Sequence, residues 1–201
     1  VNIKKNHSIN LMPAIDFLMK AVDLKPTDLD RISVAQGPGS YTGLRVAVAT
    51  AKTLAYTLNI ELVGVSSLYA LAAVADFDGL VVPVIDARRN NVYAGFYKDG
   101  QSLKDDQRMN FVDVLEAVKD EESVMFVGEV ANFSDQIAES LPQAKVLSVL
   151  PSAYAIGKRG QELQPVDVDS FVPSYLKRVE AEENWLKTHI ENPSANYVNR
   201  I

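Results

Sequence analysis

Three glycines within seven residues, in Gln36-Gly-Pro-Gly-Ser-Tyr-Thr-Gly43, lie between a short apolar segment and a long alanine-rich one and constrain the fold more than any other feature. So many glycines continue neither strand nor helix, so the stretch is a turn. Before it, Arg31-Ile-Ser-Val-Ala35 reads as a short buried strand. After it, Leu44 to Leu58 reads as a helix, apolar on all sides through Val46, Val48, Leu54 and its alanines. Glu61 to Val65 is then a second strand, and Ser66 or Ser67 caps a helix through Val74. Strand, helix, strand and helix in this order predict a parallel, right-handed βαβ layer.

A further helix is predicted upstream, from Ser8 to Val22. Leu11, Ile15, Leu18 and Val22 form one stripe and Met12 and Met19 add a second, so its apolar surface is wider than one core needs. Ser8 or Asn10 is the expected N-cap, with Pro13 in the first turns. Asp76-Phe-Asp-Gly79 is the expected lobe boundary, which divides the chain into residues 1–76 and 77–201. Beyond it, strands are predicted at Leu80 to Ile85, Asn91 to Tyr97 and Gln101 to Met109, the last two joined by a hairpin at Lys98-Asp-Gly100. Helices at Phe111 to Val118, Phe133 to Ser140 and Ser152 to Leu163 alternate with strands at Val124 to Val127 and Ala144 to Val149. The stretch after Pro165 has little periodicity and is expected to drape over the body as an acidic tail.

Composition narrows the chemistry. The 201 residues suit one domain or two small lobes, and 20 basic against 26 acidic side chains leave a net charge of −6. Residues 1–100 carry 10 basic and 9 acidic groups, so the second half, with 10 and 17, holds all the excess acidity and disfavours unaided binding to a phosphate backbone. With no cysteine, disulfides, thiolate metal sites and cysteine nucleophiles are excluded. The longest uncharged stretch, Leu62 to Ala75, has 14 residues and is shorter than the roughly 18 needed to span a bilayer.

Candidate chemistry is sparse. The Gly37 turn could cradle an anion with the N–H groups of the following helix, where Ser40 and Thr42 could cap, but its glycine spacing is not that of a dinucleotide or P-loop motif, and a structural turn is the alternative. His7 has no second histidine three or four positions away to build a metal site. Asp86-Ala-Arg88-Arg89 is a charged break between strands that could offer a base and anion clamps, or simply a solvated turn. Glu180, Glu182, Glu183 and Trp185 form an acidic stretch that reads as a solvated face. No Gly-x-Ser-x-Gly elbow is present. From these residues alone the chain is a two-lobed α/β protein without an assembled catalytic set.

The string Gln36-Gly-Pro-Gly-Ser-Tyr-Thr-Gly-Leu-Arg45 with its alanine-rich continuation through Lys52 to Ala55 resembles the TsaB family of bacterial tRNA threonylcarbamoyladenosine biosynthesis proteins. Asn6-His-Ser8 with Leu11-Met-Pro-Ala-Ile-Asp16, Asp86-Ala-Arg-Arg89 with Val92-Tyr-Ala94, and Pro173-x-Tyr-Leu176 with Glu180-Ala-Glu182 and Trp185 extend the likeness over most of the chain. The resemblance implies an α/β, two-lobed actin-like (ASKHA) fold in the glycoprotease-like group, each lobe a mixed β-sheet with helices. It also implies an N-terminal strand hairpin, so with Val at position 1 about thirty further residues are expected ahead of it, by strand-length arithmetic.

By the same resemblance the chain is a non-catalytic, cytoplasmic scaffold that binds and activates the related subunit TsaD, with TsaE joining a larger complex, and forms a homodimer when alone. Transfer RNA is met mainly through the partner, no membrane is involved, and ATP and metal belong to partner subunits. A stand-alone ATPase or phosphotransferase using Asp86, and a metallohydrolase, are the alternatives. The expected partner interface is a helix pair comprising His7, Leu11, Met12, Ile15, Met19, Arg45, Val48, Ala51, Lys52 and Ala55, beside the family turn Gly37, Pro38, Gly39, Ser40, Tyr41, Thr42 and Gly43.

Overall fold

The computed structural model describes residues 7–176, with side chains from residue 10 onward. The first unit is the predicted βαβ layer: β1 (Arg31–Gly37) and β2 (Glu61–Ser66) pair in parallel, with α2 (Tyr41–Leu58) as the crossover and α3 (Ser67–Ala72) following. Ahead of it runs α1 (His7–Ala21). That helix starts before the expected caps, so Ser8 and Asn10 lie inside it. Pro13 is its seventh residue, where the missing N–H leaves the Ile9 carbonyl without its helical donor. The start of α2 also differs from expectation. Ser40 is the N-cap, its hydroxyl accepting from Gly43 N at 3.4 Å, so Tyr41, Thr42 and Gly43 form the helix's first turn and Thr42 is not the cap.

The second unit is a five-stranded mixed sheet in the order β5-β4-β3-β6-β7, built from β3 (Leu80–Asp86), β4 (Asn91–Lys98), β5 (Gln101–Asn110), β6 (Val124–Gly128) and β7 (Lys145–Leu147). Strand β4 runs antiparallel to both of its neighbours, β3 and β5, and β6 and β7 continue from β3 in parallel. Helices α4 (Phe111–Ala117) and α5 (Ser134–Ser140) cover one face, where the Phe111 ring stands 5.9 Å from Phe126 and 4.3 Å from Phe133. The other face packs Val81, Tyr93, Tyr97 and Val127 against Leu68 and Leu71 of α3. Cover on both faces explains why Leu80 to Val84 is an unbroken apolar run. The last strand is only three residues long, and all three are exposed at the sheet edge, shorter than the Ala144 to Val149 span expected from its apolar residues.

The chain then returns to the first sheet. Helix α6 (Ala153–Glu162) lies so close on β1 that a Cβ at Gly160 would fall 1.9 Å from Ser33 Oγ. Arg31 fixes the end of that helix: its guanidinium donates to the carbonyls of Gly160 (2.6 Å), Gln161 (3.3 Å) and Leu163 (3.1 Å) and to Glu61 Oε2 (2.7 Å). A cation at a helix C-terminus, satisfying carbonyls the helix leaves over, is favourable twice. Arg31→Ala is expected to cost about 2 kcal/mol, the worth of a partly exposed set of charge-assisted hydrogen bonds, read as a lower urea midpoint with unchanged slope. The described part of the segment after α6 runs over the first unit. Val166 N donates to Leu62 O at 2.9 Å, and Phe171 is buried with Val34, Val48, Ala51, Ala55 and Leu62.

Candidate functional site: the exposed face of the first two helices

Two faces of α2 have opposite environments. Leu44, Val48, Ala51 and Ala55, spaced by three and four residues, point into the body and are buried. Arg45, Ala49, Thr53 and Tyr56 run along the exposed side. Arg45 donates to the Tyr41 hydroxyl at 2.8 Å and lies 5.5 Å from that ring, and Thr53 Oγ1 donates to the Ala49 carbonyl at 2.9 Å. The hydrogen bond to Tyr41 also raises the Arg45 pKa further above its ordinary value.

Helix α1 touches α2 and buries none of its described side chains fully. Leu11, Ala14, Ile15 and Met19 are half-buried, whereas Met12, Phe17, Leu18 and Val22 are 47, 69, 62 and 62% exposed. Three large apolar side chains of this one helix, Met12, Phe17 and Leu18, are thus exposed, with Val22 just past its end.

The sequence expectation for this face needs one correction. Val48, Ala51 and Ala55 are 3, 5 and 1% exposed and pack under β1, β2 and Phe171, so they serve the chain's own core. Lys52 is likewise spent within the chain, its ammonium donating to the carbonyls of Asp169 and Phe171, both at 2.9 Å. Phe17, Ala49 and Tyr56, by contrast, are exposed. Phe17 was missed because it falls outside both stripes; it makes the helix apolar over a still wider arc. The His7 side chain lies outside the described ones, and Glu180, Glu182, Glu183, Trp185 and His189 lie outside the described residues.

The glycine turn is covered by the chain itself. Ser174 N donates to Gln36 O at 2.7 Å, and a Cβ at Gly37 would lie 2.5 Å from the Ser174 carbonyl oxygen. Gly37 also has φ +123, and the Tyr41 and Tyr175 rings meet at 5.2 Å beside it. This geometry supports the structural reading of the turn. At the β3–β4 connection Asp86 Oδ1 accepts from Arg88 N at 2.7 Å, and Oδ2 accepts from Asn132 at 3.3 Å with the Arg88 guanidinium 3.7 Å away. Both oxygens of the one carboxylate that a phosphotransferase reading could use are engaged by the turn and its neighbour. Arg88, Arg89 and Asn90 all have left-handed backbones, held by Asn91 Nδ2 donating to the Arg88 and Arg89 carbonyls. No group of three or more potential metal-ligating side chains occurs among the described residues.

The nearest approach to a nucleophile and base is Ser66 with Asp106, at 2.5 Å. Ser66 Oγ also accepts from Leu68 N (3.0 Å) and Tyr69 N (3.2 Å) as the N-cap of α3. Its proton and both lone pairs are therefore in use, which suits a cap and not an attacking oxygen. A separate open hollow of about 450 Å³ lies between α3, α6 and the β4–β5 turn, lined by Tyr69, Phe77, Val81, Tyr97, Tyr154 and Lys158. No residue singled out from the sequence lines it. No helix among the described residues is long and apolar enough to cross a membrane.

Comparison with known proteins agrees with this architecture. Residues 2–185 match the family model described as TsaD: tRNA N6-adenosine threonylcarbamoyltransferase. The crystal structure of an uncharacterized protein with similarity to peptidase YEAZ from Pseudomonas aeruginosa superposes with a TM-score of 0.71 at 25% identity, covering 87% of this chain and 86% of that one. YeaZ from the same organism superposes at 0.70 with 23% identity, over 88% and 87%. The fold is thus a mixed α/β fold of the actin-like, TsaD-related kind. The tRNA threonylcarbamoyladenosine biosynthesis protein TsaB of Bacillus subtilis is 40% identical over 197 residues, 92% of this chain and 86% of that one. The protein of that name from Escherichia coli is 29% identical over 97 residues, 47% of this chain and 42% of its own. This chain belongs to the TsaB family.

Proposed function

We propose that the chain serves tRNA threonylcarbamoyladenosine biosynthesis as a non-catalytic scaffold that binds and activates TsaD. The observation that carries this reading is the exposed apolar surface of α1, with Met12, Phe17 and Leu18 of the helix and Val22 just past its end in water, on a helix that buries none of its described side chains fully. Burying such a face at about 25 cal/mol per Å² gives the driving force for a helix-on-helix seam. A second copy of the chain covers the same face when TsaD is absent. The reading extends to TsaE as a further member of the complex, to ATP and metal held by those subunits, to tRNA contacted mainly through them and to a cytoplasmic setting. The net charge of −6 supports indirect tRNA contact, and the saturated hydrogen bonding of Ser66 supports a role without chemistry of its own.

The test is light scattering on size-exclusion of the protein alone and mixed with purified TsaD, followed by threonylcarbamoyl transfer to unmodified tRNA with TsaE, ATP and threonylcarbamoyl donor supplied. A mixed complex that restores transfer, with no turnover by this chain alone, is the expected result. Transfer that proceeds equally well without this chain would overturn the reading.

A further inference from the structure

Three polar groups from both sheets meet behind α3. Ser66 is the last residue of β2 in the first sheet, whereas Asp106 stands on β5 and Tyr97 on β4 in the second. Ser66 donates to Asp106 Oδ2 at 2.5 Å and the Tyr97 hydroxyl donates to Oδ1 at 3.2 Å, so one carboxylate holds both.

Two backbone features aim that carboxylate inward. The β4–β5 register slips between the Ala94–Gln107 and Phe96–Lys104 pairs, so Asp105 and Asp106 together oppose Gly95. Such a bulge re-aims a side chain. Gly95 supplies the room, since a Cβ there would lie 2.9 Å from Asp106 Oδ1 and 2.6 Å from the Tyr97 ring. The environment is dry enough to shift both titrations. Burial pushes the Asp106 carboxyl above its usual range, against the two hydrogen bonds that lower it and with Asp105 adding to the rise. Burial, then the Asp106 charge, pushes the Tyr97 phenol far up. A half-buried carboxylate that costs desolvation is retained at the point where the two sheets meet.

We propose that Ser66, Asp106 and Tyr97 form a latch that fixes the angle between the two sheets, with Asp106 as its pin. The hydroxyl of Ser66 joins the start of α3 to the latch, so the helix that connects the sheets is held at its first turn. Releasing the pin leaves Leu68 and Leu71 of α3 packed on Val81 and Val127 while freeing the first sheet to swing about the helix.

The absence of native cysteine allows a direct test. Spin labels on Thr57→Cys of α2 and Gln143→Cys ahead of β7, both exposed, report the distance between the two units by double electron–electron resonance. Asp106→Ala is expected to shift and broaden that distribution, and Tyr97→Phe, which removes one hydrogen bond at almost constant volume, to broaden it less. If Asp106→Ala fails to fold, Asp106→Asn and Tyr97→Phe decide the matter in the same labelled background. Distributions that coincide with the parent's in the folded variants overturn the latch.

Discussion

Leu18→Asp and Phe17→Asp should leave the thermal midpoint of the isolated chain within a degree or two of the parent's while removing its association with TsaD. Both side chains are more than three-fifths exposed, so neither substitution opens a cavity or buries a charge in the free protein. At an apolar seam the same carboxylate loses its water without gaining a partner, which costs about 3–5 kcal/mol and weakens the complex by about two to four orders of magnitude. Charges on the two sides of α2 separate association from folding. Ala49→Asp, on the exposed side, is expected to behave like Leu18→Asp. Ala51→Asp, only 5% exposed and inside the cluster of Val34, Val48 and Phe171, is expected to unfold the chain. Titration by light scattering, with circular dichroism on the same samples, reads both quantities. Undiminished binding by folded Leu18→Asp would move the partner surface away from α1.

That contrast also shows where sequence reading reaches its limit. The elements around α2 were legible because local pattern decides them: a short apolar run in β2, a glycine-rich turn, and serine caps at Ser40 and Ser66. Which side of an all-round apolar helix meets its own sheet is not a local property. Ala49 and Ala51 are equivalent in the sequence, and their difference arises from the partners on the Ala51 side: Val34 and Leu62 of the sheet, and Phe171, more than a hundred residues away. The latch was illegible for the same reason. Asp106 sits in a run of exposed charged residues on an edge strand, and only the slip opposite Gly95 turns it inward to Ser66 and Tyr97. The glycine turn was recognised as the most specific string, yet its demand for glycine comes in part from a segment the motif does not contain.

Gly37→Ala puts that last point to a test with a large expected effect. The native φ of +123 lies where a Cβ is strained, at about 1–3 kcal/mol, and the added carbon would fall 2.5 Å from the Ser174 carbonyl oxygen and 3.1 Å from Leu44 Cδ1. Leu44 can move its tip, but the Ser174 oxygen belongs to backbone that is pinned by Ser174 N donating to Gln36 O. The least costly response is for the segment from Phe171 to Leu176 to lift away, losing that hydrogen bond, the Tyr41–Tyr175 contact and the burial of Phe171, which is worth about 1.5–3 kcal/mol by itself. The expected outcome is a chain destabilised by about 2.5–6 kcal/mol, summing strain and lost burial, with Phe171 to Leu176 newly open to limited proteolysis before global unfolding. Phe171→Ala should open the same segment without straining the turn. Protease resistance of the segment equal to the parent's in a folded Gly37→Ala protein would show that the glycine serves something other than the chain's own return, and would bring the anion reading of the turn back into play.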